Sequence, residues 1–393
     1  MKFKINSVII LLVLVLTAMV APFFVKNNTS VLCVSNYWPT EGWLSSSPEE
    51  QGMDSQFLKD MENYIGNHSY NHDSIVIVKN GYIVFEKYFN HYDENQTHHL
   101  FSVTKSFVSA LMGIALKKGL IDNINQRMLD FFDNYTIANL NSLKEQITIE
   151  HLLTMTSGFE WSSDFPRWFD MNDAPNQVQF VLDLPMDDGP GTHFNYNSGA
   201  CQLLTAILKL VSNQTALEFA QEELFNPLGI TNVSWGADKQ GINYGGTLLY
   251  LSSRDMAKFG YLYLNNGLWD GQEIVPNDWV KNSTTSYIRS TIRGSDYGYL
   301  WWLDRDSEYY FAWGSEGQKI FVVPDYDMVV VFTATSNYDE PYEYLLSEFI
   351  LPAISDYTPK ATMNYSFLAG ISIIILISKI ITKKKNHTKN GLI

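Results

Sequence analysis

The pair Ser102 and Lys105 has the spacing that a serine nucleophile and its activating amine need. On a helix, residues three apart share a face, so the lysine side chain can reach the serine hydroxyl. Burial in a cleft disfavours a charged lysine, and the neutral amine can then accept the serine proton. Ser102 is the only serine of the chain with a lysine at this offset, and it opens the apolar helical stretch SVTKSFVSALMGIALKKG. The competing interpretation is a solvated helical pair, since this spacing arises by chance about once in such a chain.

A second candidate group is Tyr196, in the polar turn FNYNSG that precedes another apolar helical stretch. A tyrosine held near a lysine loses its proton more readily and can relay it to a leaving group. The chain contains 23 tyrosines, however, so a core position is the competing interpretation. Taken alone, the turn favours the core interpretation.

The third candidate segment, AWGSEG at residues 312–317, ends one predicted strand and precedes the next. Small residues there would let a ligand lie along the strand edge. The backbone N–H of Ser315 could then join that of Ser102 as an oxyanion hole. A hairpin turn between two strands would explain the glycines equally well.

The elements that must position these groups are predicted from hydrophobic periodicity. The segment SIVIVKNGYIVFEKYF predicts a hairpin that turns at Asn80 and Gly81. From Ser102 the pattern is helical, and strand patterns return late, at YGYLWWL, YYFAWG, KIFVVP and DMVVVFTATS. Strands at both ends with helices between them predict an α/β (α+β) fold, whose antiparallel sheet is flanked by helices and interrupted by a mostly helical insertion. A catalytic cleft is expected where the two parts meet.

The order and spacing of the three segments resemble a known group of enzymes. The group contains class C β-lactamases, D-Ala-D-Ala peptidases and other penicillin-binding relatives, esterases and the 6-aminohexanoate-dimer hydrolases. The resemblance implies a single β-lactamase-like serine hydrolase domain over residues 45–358. Further stretches that look like this group are ITIEHLLTMTSGFEW, PGTHFNYNSGACQLL, FNPLGI, GGTLLYLSSRDMAKFGYLYLNNGLWDGQEIVP and GQKIFVVPDYDMVVV.

The resemblance implies a role for each candidate residue. Ser102 would be the acylated nucleophile, Lys105 its activator, and Tyr196 the general base and acid. The backbone N–H groups of Ser102 and Ser315 would hold the oxyanion. No cofactor and no metal ion is implied.

Two departures from the group's pattern bear on the substrate. Where β-lactamases and peptidases of this kind have Tyr-x-Asn, residues 196–198 are Tyr-Asn-Ser, and where they have Lys-Thr-Gly, residues 313–315 are Trp-Gly-Ser. The missing lysine helps to fix the substrate carboxylate in the drug-binding members, so anionic acyl donors lose a partner here. Ser198, Trp313 and Gly314 are expected to lie against the substrate.

Three residues in the loop between the first two motifs, Trp161, Trp168 and Asp170, are further candidates for the substrate pocket. Ordinary surface aromatics are an equally weighted alternative. Together the candidates predict a serine hydrolase that cleaves a small-molecule or peptide-like ester or amide. The alternatives are a penicillin-binding D-Ala-D-Ala peptidase or β-lactamase, and a catalytically silent extracellular binding module of the same fold.

Other classes of function are not favoured by composition. His98 and His99 are adjacent and cannot both face one metal ion from a regular element, and no His-Glu-x-x-His motif occurs. Eight of the 27 basic residues lie in the two tails, which contain none of the 42 acidic residues, so residues 27–365 carry a formal charge of −23. Such an acidic body would repel nucleic acid.

The two ends of the chain predict a membrane protein. Residues 1–26 combine lysines with an apolar run, which is typical of a signal peptide or an N-terminal membrane anchor, and residues 27–44 read as a linker. Residues 366–382 are predicted to form a transmembrane helix, followed by a basic cytoplasmic tail over residues 383–393. The positive-inside rule would then place the acidic catalytic body on the extracellular side of the cell membrane.

Sequons and cysteines add little to this interpretation. The spacing of Cys33 and Cys201 does not decide whether they pair, although the apolar surroundings of Cys201 favour a buried free thiol. Several glycosylation sequons fit an exported domain, namely those at Asn67, Asn95, Asn134, Asn213 and Asn282.

Overall fold

The computed structural model describes residues 37–68, 70–161, 166–292, 294–305, 309–335 and 342–358. Helices predominate in the middle of this part of the chain. The α-helices are α1 (Ser55–His68), α2 (Thr104–Lys117), α3 (Ile149–Leu153), α4 (Pro166–Asp173), α5 (Gln177–Asp183), α6 (Ser198–Ser212), α7 (Ala216–Ala220), α8 (Ser253–Leu264), α9 (Asn277–Ser283) and α10 (Tyr342–Leu345).

The described strands form one large antiparallel sheet and two small ones. They are β1 (His72–Lys79), β2 (Tyr82–Tyr88), β3 (Thr97–His99), β4 (Ser234–Trp235), β5 (Leu249–Ser252), β6 (Leu268–Trp269), β7 (Gln272–Glu273), β8 (Ile288–Arg289), β9 (Asp296–Tyr297), β10 (Trp302–Leu303), β11 (Tyr310–Trp313), β12 (Lys319–Val323) and β13 (Met328–Ala334). The large sheet has the order β2-β1-β13-β12-β11-β10-β9-β8, and one small sheet has the order β3-β5-β4. The first strand thus lies beside the last, and the mostly helical segment between β2 and β8 is an insertion into the sheet, as predicted.

Strand β1 lies next to the edge of the large sheet, where it pairs with the edge strand β2 on one side and with β13 on the other. All eight residues of β1 are buried, as the apolar run in its sequence requires for a strand covered on both faces. The predicted turn follows, with both Asn80 (φ 52°) and Gly81 (φ 82°) in the left-handed region that a tight hairpin needs. Helix α8 packs closely on the sheet at Gly260, where a β-carbon would lie 2.6 Å from Val329 and 2.8 Å from Ile320.

Helix α2 is the central helix of the helical region. Its residues from Thr104 to Ala115 are buried. It packs against α6 and α9, and at Gly113 a β-carbon would lie 2.4 Å from the indole ring of Trp279. Only glycine lets α2 and α9 approach this closely. The close packing fixes the start of α2 in space, and the residues just before it hold Ser102.

One predicted strand is interrupted. The segment YGYLWWL forms β9 and β10 with an irregular turn between them, in which Leu300 has φ 61°. The backbone N–H of Leu300 donates to the carbonyl of Leu153 at 3.0 Å instead of joining the sheet. A β-carbon at Gly298 would lie 2.1 Å from the carbonyl of Ser283, so this glycine allows the turn to pack on the end of α9. Alternating apolar residues predicted the strand, and these tertiary contacts break it.

The fold class needs one correction, which concerns the membrane. No helix in the described part of the chain is long and apolar enough to cross a bilayer. One of the longest, α6, has 15 residues, and at 1.5 Å per residue it falls short of a hydrocarbon core of about 30 Å. The α/β sheet with its helical insertion stands, and the transmembrane helix, which was the other part of the predicted fold class, is wrong. Residues 1–26, 366–382 and 383–393, for which terminal segments were predicted, lie outside the described residues.

Cys201 is buried and has a free thiol, as its apolar surroundings indicated, whereas Cys33 lies outside the described residues. The sequon asparagines are exposed in the structure, and their glycosylation stays a prediction; they are Asn67, Asn95, Asn134, Asn213 and Asn282.

Candidate active site

Ser102 lies in a 3₁₀ turn, Phe101–Val103, that continues directly into α2. Phe101 has φ 47°, a left-handed backbone conformation that is uncommon for residues other than glycine. The turn leaves Ser102 half-buried, whereas the helix that follows is covered. A serine in this position keeps its hydroxyl accessible on a rigid support.

Lys105 lies one turn further along, and its side chain is almost completely buried. Its Nζ is 3.1 Å from the Oγ of Ser102 and donates a hydrogen bond of 3.0 Å to the carbonyl of Gly246. The pair therefore lies on one face of the helical start, as the spacing predicted. The distance is short enough for direct proton transfer between the amine and the hydroxyl.

The loop that contains Gly246 approaches both catalytic segments closely. A β-carbon at Gly245 would lie 2.0 Å from the carbonyl oxygen of Cys201 in α6. A β-carbon at Gly246 would lie 3.1 Å both from the Nζ of Lys105 and from the Oγ of Ser198. The two glycines let the loop enter the site, and Ser198 lies on the same side of Gly246 as Lys105.

Tyr196 lies just before α6, with its ring beside Lys105. The Nζ of Lys105 is 4.8 Å from the centre of the Tyr196 ring. The ring also packs against Trp302 at 5.6 Å and Tyr297 at 6.4 Å between ring centres. The structure thus brings together Ser102, Lys105 and Tyr196, and it also packs Tyr196 on core aromatics, so both interpretations of this tyrosine have a structural basis.

Asn197 fixes the chain direction after Tyr196. Its side chain is buried, and its Oδ1 accepts hydrogen bonds from the N–H groups of Gly199 (2.7 Å) and Ala200 (3.1 Å), which caps the first turn of α6. Close packing follows, because a β-carbon at Gly199 would lie 2.9 Å from the ring of Trp161. Trp161 is thus buried behind the Tyr196 turn.

The third motif meets the turn of Ser102 at the end of β11. A β-carbon at Gly314 would lie 2.3 Å from the carbonyl of Leu100 and 3.2 Å from the β-carbon of Phe101. Only glycine allows the strand end to come this close to the nucleophile turn. The next residue, Ser315, begins a short 3₁₀ turn and is exposed. Its backbone is therefore close to the Ser102 segment, as an oxyanion hole would require.

Trp313 occupies the position of the missing lysine, and its ring packs on Trp302 at 5.4 Å. Its cross-strand partner on β12 is Lys319, whose Nζ lies 4.8 Å from the centre of the Trp313 ring. Lys319 is buried and forms an ion pair with Glu343. A positive charge is thus present one strand away, but a carboxylate already neutralises it.

The two remaining loop candidates lie further out. Trp168 is half-buried in α4 and packs edge-to-face on Phe169, at 5.1 Å between ring centres. Phe169 is 55% exposed, and Asp170 is exposed as well. No described contact joins Trp168 or Asp170 to Ser102, Lys105 or Tyr196.

Sequence reasoning missed the residues that hold the site from outside the three motifs. Gly246 contacts Lys105 across 141 residues of chain, a distance over which spacing carries no information. Asn197 could have been found, because asparagine immediately before an apolar helix is a strong N-cap signal. Trp302 lies in the interrupted strand segment and gave no site signal of its own.

Comparisons with known proteins agree on one family. The family model described as Beta-lactamase matches residues 57–353, which is more than half of the chain. The 6-aminohexanoate-dimer hydrolase of Paenarthrobacter ureafaciens is 20% identical over 66% of this chain and 71% of its own length.

Solved structures show the same fold. The octameric penicillin-binding protein homologue of Pyrococcus abyssi superposes with a TM-score of 0.63 at 21% identity, covering 78% of this chain and 79% of its own. A family VIII carboxylesterase gives 0.63 at 13% identity, covering 78% of this chain and 98% of its own. At these identities the similarity shows the fold alone.

Proposed function

Because this chain belongs to the beta-lactamase family, whose model it matches over residues 57–353, we propose that it hydrolyses an ester or amide through an acyl-enzyme on Ser102. The family's serine hydrolase chemistry is the starting point. What is proposed is the identity of the residues that perform it and the type of bond that is cleaved. Lys105 and Tyr196 are the proton-transfer partners.

The observation that carries the proposal is the position of the Lys105 amine. Its Nζ lies between two oxygen atoms, the Oγ of Ser102 at 3.1 Å and the carbonyl of Gly246 at 3.0 Å. The carbonyl can only accept a hydrogen bond, so it holds the amine in place through one N–H and keeps the nitrogen within proton-transfer distance of the serine hydroxyl. In the proposed reaction this amine takes the proton of the serine hydroxyl.

The proposed reaction has two halves. In the first, Ser102 Oγ attacks the acyl carbon as its proton passes to Lys105, and the backbone N–H groups of Ser102 and Ser315 hold the oxyanion. The bond to the leaving group then breaks, and the leaving group takes a proton from Tyr196, which recovers one from Lys105. In the second half, water attacks the acyl-enzyme and gives a proton to Tyr196 as Tyr196 passes its own proton to Lys105. The bond to Ser102 Oγ then breaks, Oγ takes that proton back from Lys105, and the acid is released.

The substrate is proposed to be a neutral acyl donor. Trp313 stands where the drug-binding relatives carry a lysine, and the cation on the next strand, Lys319, is paired with Glu343. A substrate carboxylate would therefore meet an indole ring and a neutralised charge. This favours esters and amides without an acidic group over β-lactams and D-alanyl peptides.

Covalent labelling tests the proposal without assuming a natural substrate. A fluorophosphonate probe should label Ser102, and the protein should hydrolyse nitrophenyl acetate or butyrate much faster than nitrocefin. Ser102→Ala should abolish both labelling and hydrolysis, since alanine fits the turn and cannot be acylated. Ser109→Ala is the matched control, because Ser109 is buried in the same helix but lies away from the turn.

Two outcomes would contradict the proposal. Retention of more than a few per cent of turnover by Ser102→Ala would remove Ser102 as the nucleophile. Faster turnover of nitrocefin than of the simple esters would leave the nucleophile in place and overturn the substrate class.

A further inference from the structure

The loop that holds Lys105 has a strained backbone. Gly246, whose carbonyl accepts the hydrogen bond from Lys105, lies two residues before Leu248, which has φ 63°. A leucine in this left-handed conformation is strained, and the conformation persists only where surrounding contacts enforce it. The position of the Gly246 carbonyl therefore depends on whatever holds residues 247 and 248.

The group that holds them is the imidazole of His99, on β3. Its Nε2 accepts a hydrogen bond of 3.2 Å from the backbone N–H of Leu248 and lies 2.9 Å from the Oγ1 of Thr247. The ring itself packs against two aromatic rings, with centre-to-centre distances of 3.8 Å to Phe101 and 5.0 Å to Tyr250. Phe101 directly precedes Ser102, so this one side chain contacts both the nucleophile turn and the loop that binds Lys105.

We infer that His99 is a positioning residue, which locks residues 247–248 so that the carbonyl of Gly246 keeps the amine of Lys105 beside Ser102. The inference rests on the proposed function in one respect, the use of Lys105 as the proton-transfer partner. His99 acts on Lys105 through the loop, because its hydrogen-bond contacts are with Thr247 and Leu248.

The lock works only with a neutral imidazole. A backbone N–H can only donate, so the Nε2 that receives the Leu248 N–H carries no proton, and the ring proton is on Nδ1. Protonation would place an N–H on Nε2, which could then donate to the Thr247 hydroxyl at 2.9 Å but could no longer accept from Leu248 at 3.2 Å. Acid is therefore expected to release the loop and to withdraw the Gly246 carbonyl from Lys105.

The surroundings of His99 resist protonation. Burial lowers the pKa of His99 below its usual 6.5. The titratable groups on the elements around it are Tyr250 of β5, whose ring stacks on the imidazole, and Lys105 of α2, which the same loop binds. Among the described residues, no carboxylate contacts the His99 ring, so none stabilises its protonated form. The lock is thus intact at neutral pH and is lost as the pH falls through the lowered pKa.

The pH dependence of ester hydrolysis tests this inference. The wild-type kcat on nitrophenyl butyrate should fall on the acidic side with a midpoint below pH 6.5. In His99→Gln the Oε1 atom can still accept from Leu248 but does not titrate, so kcat at pH 7.5 should stay within about threefold and the acidic fall should move to lower pH. His99→Leu has no acceptor, and its kcat should drop about tenfold or more at every pH with KM within about twofold.

A matched control and a second variant keep the test decisive. His193→Gln changes a histidine whose side chain is 70% exposed, and its pH profile should match that of the wild type. Thr247→Val keeps the shape of the side chain and removes only the hydroxyl, so its kcat should fall less than the kcat of His99→Leu. This variant still tests the inference if His99→Leu does not fold.

The possible failures are distinguishable. If fluorophosphonate labels Ser102 in all variants and the wild-type, His99→Gln and Thr247→Val profiles coincide, His99 is not a positioning residue and the proposed function survives. If the wild type itself is not labelled at Ser102, the proposed function fails first. If kcat falls equally in His99→Gln and His99→Leu, the role of His99 is packing rather than acceptance of the hydrogen bond, and the inference is overturned.

Discussion

The ring of Tyr196 contacts both the amine of Lys105, at 4.8 Å from the ring centre, and the ring of Trp302, at 5.6 Å between ring centres. A ring packed in this way keeps its place whether or not it carries a hydroxyl. Chemistry and packing can therefore be separated at this residue by removing a single oxygen atom.

Tyr196→Phe should lower the rate of ester hydrolysis by about 10² to 10⁴ while the free energy of unfolding changes little. The reason is that the ring contacts remain and the proton carrier is lost, so KM should move much less than kcat. Steady-state kinetics on nitrophenyl butyrate and urea unfolding measure the two quantities. Lys105→Ala supplies the partner variant, and the double variant should be hardly slower than the poorer single one, because the two groups share one proton path.

Near-native kinetics of the phenylalanine variant at every pH would make Tyr196 a core residue. Additive losses in the double variant would mean that Lys105 and Tyr196 act independently, so that the proposed mechanism is wrong even if Ser102 is acylated.

At the scale of residues, the sequence predicts contacts that follow from local geometry. The approach of Lys105 to Ser102 is such a contact, because three residues on a helix place two side chains together. The contacts of Lys105 with Gly246 and of His99 with Leu248 join residues 141 and 149 positions apart. No spacing rule reaches over that distance, so the supports of the site had to be read from the structure.

At the scale of elements, the site depends on the end of β11 touching the turn before α2. The contact is made by Gly314, and the atom that a side chain there would meet is a backbone carbonyl, that of Leu100 at 2.3 Å. Backbone cannot rotate away as a side chain can. A larger residue would therefore push the strand and the turn apart and move Ser315 away from Ser102.

Gly314→Ala should lower kcat by about tenfold or more and destabilise the fold by about 1–3 kcal/mol, because the added methyl group must displace the strand end. Gly66→Ala is the control glycine, since it lies on α1 with nothing within 4 Å of an added β-carbon. That change should leave kcat alone and stabilise the helix by up to about 1 kcal/mol. Wild-type kcat in Gly314→Ala would show that this contact does not position the site.

Elements that local sequence determines were predicted, and elements that depend on contacts distant in sequence were not. The hairpin at Asn80 and Gly81 is encoded locally, because those two residues tolerate the left-handed turn between two apolar runs. The interruption of YGYLWWL is not, because it depends on the carbonyl of Ser283 approaching Gly298 and on that of Leu153 binding Leu300. Strand propensity was real there, and packing against α9 overrode it.

At the scale of the whole molecule, stability is tied to a buried histidine where the first and last strands pair. His72 begins β1, and its ring lies 5.9 Å from that of Phe332 in β13. Burial lowers the pKa of His72 to about 4, partly offset by Asp73. The unfolded chain therefore binds a proton near pH 6.5 that the native state resists, so stability is present above pH 6.5 and is lost as the pH falls toward 4.

Between pH 7.5 and pH 5 this one group should reduce the free energy of unfolding by about 2 kcal/mol, at 1.36 kcal/mol per unit of pKa difference. Urea unfolding at the two pH values measures the change. His72→Phe keeps an aromatic ring and cannot titrate, so the variant should lose about 2 kcal/mol less than the wild type over the same range. Equal losses in the two proteins would exclude His72 as the source.

The global architecture was predicted from the order of strand and helix patterns along the chain, with strands at both ends and helices between them. The transmembrane helix was predicted from an apolar run followed by lysines, and no helix in the described part of the chain is long and apolar enough to cross a bilayer.

Because β1 pairs with β13, the large sheet cannot be completed until almost the whole domain has been synthesised. Ser74 of β1 contacts Thr333 of β13 at 2.6 Å, across 259 residues of chain. At about 5–20 residues per second, a ribosome needs roughly 10 to 50 s to reach β13 after it has made β1. During that interval the β1–β2 hairpin has an open apolar edge, which is a template for aggregation. A chaperone that covers this edge until residue 334 has emerged would therefore raise the yield of folded protein more than one that acts after the chain is released.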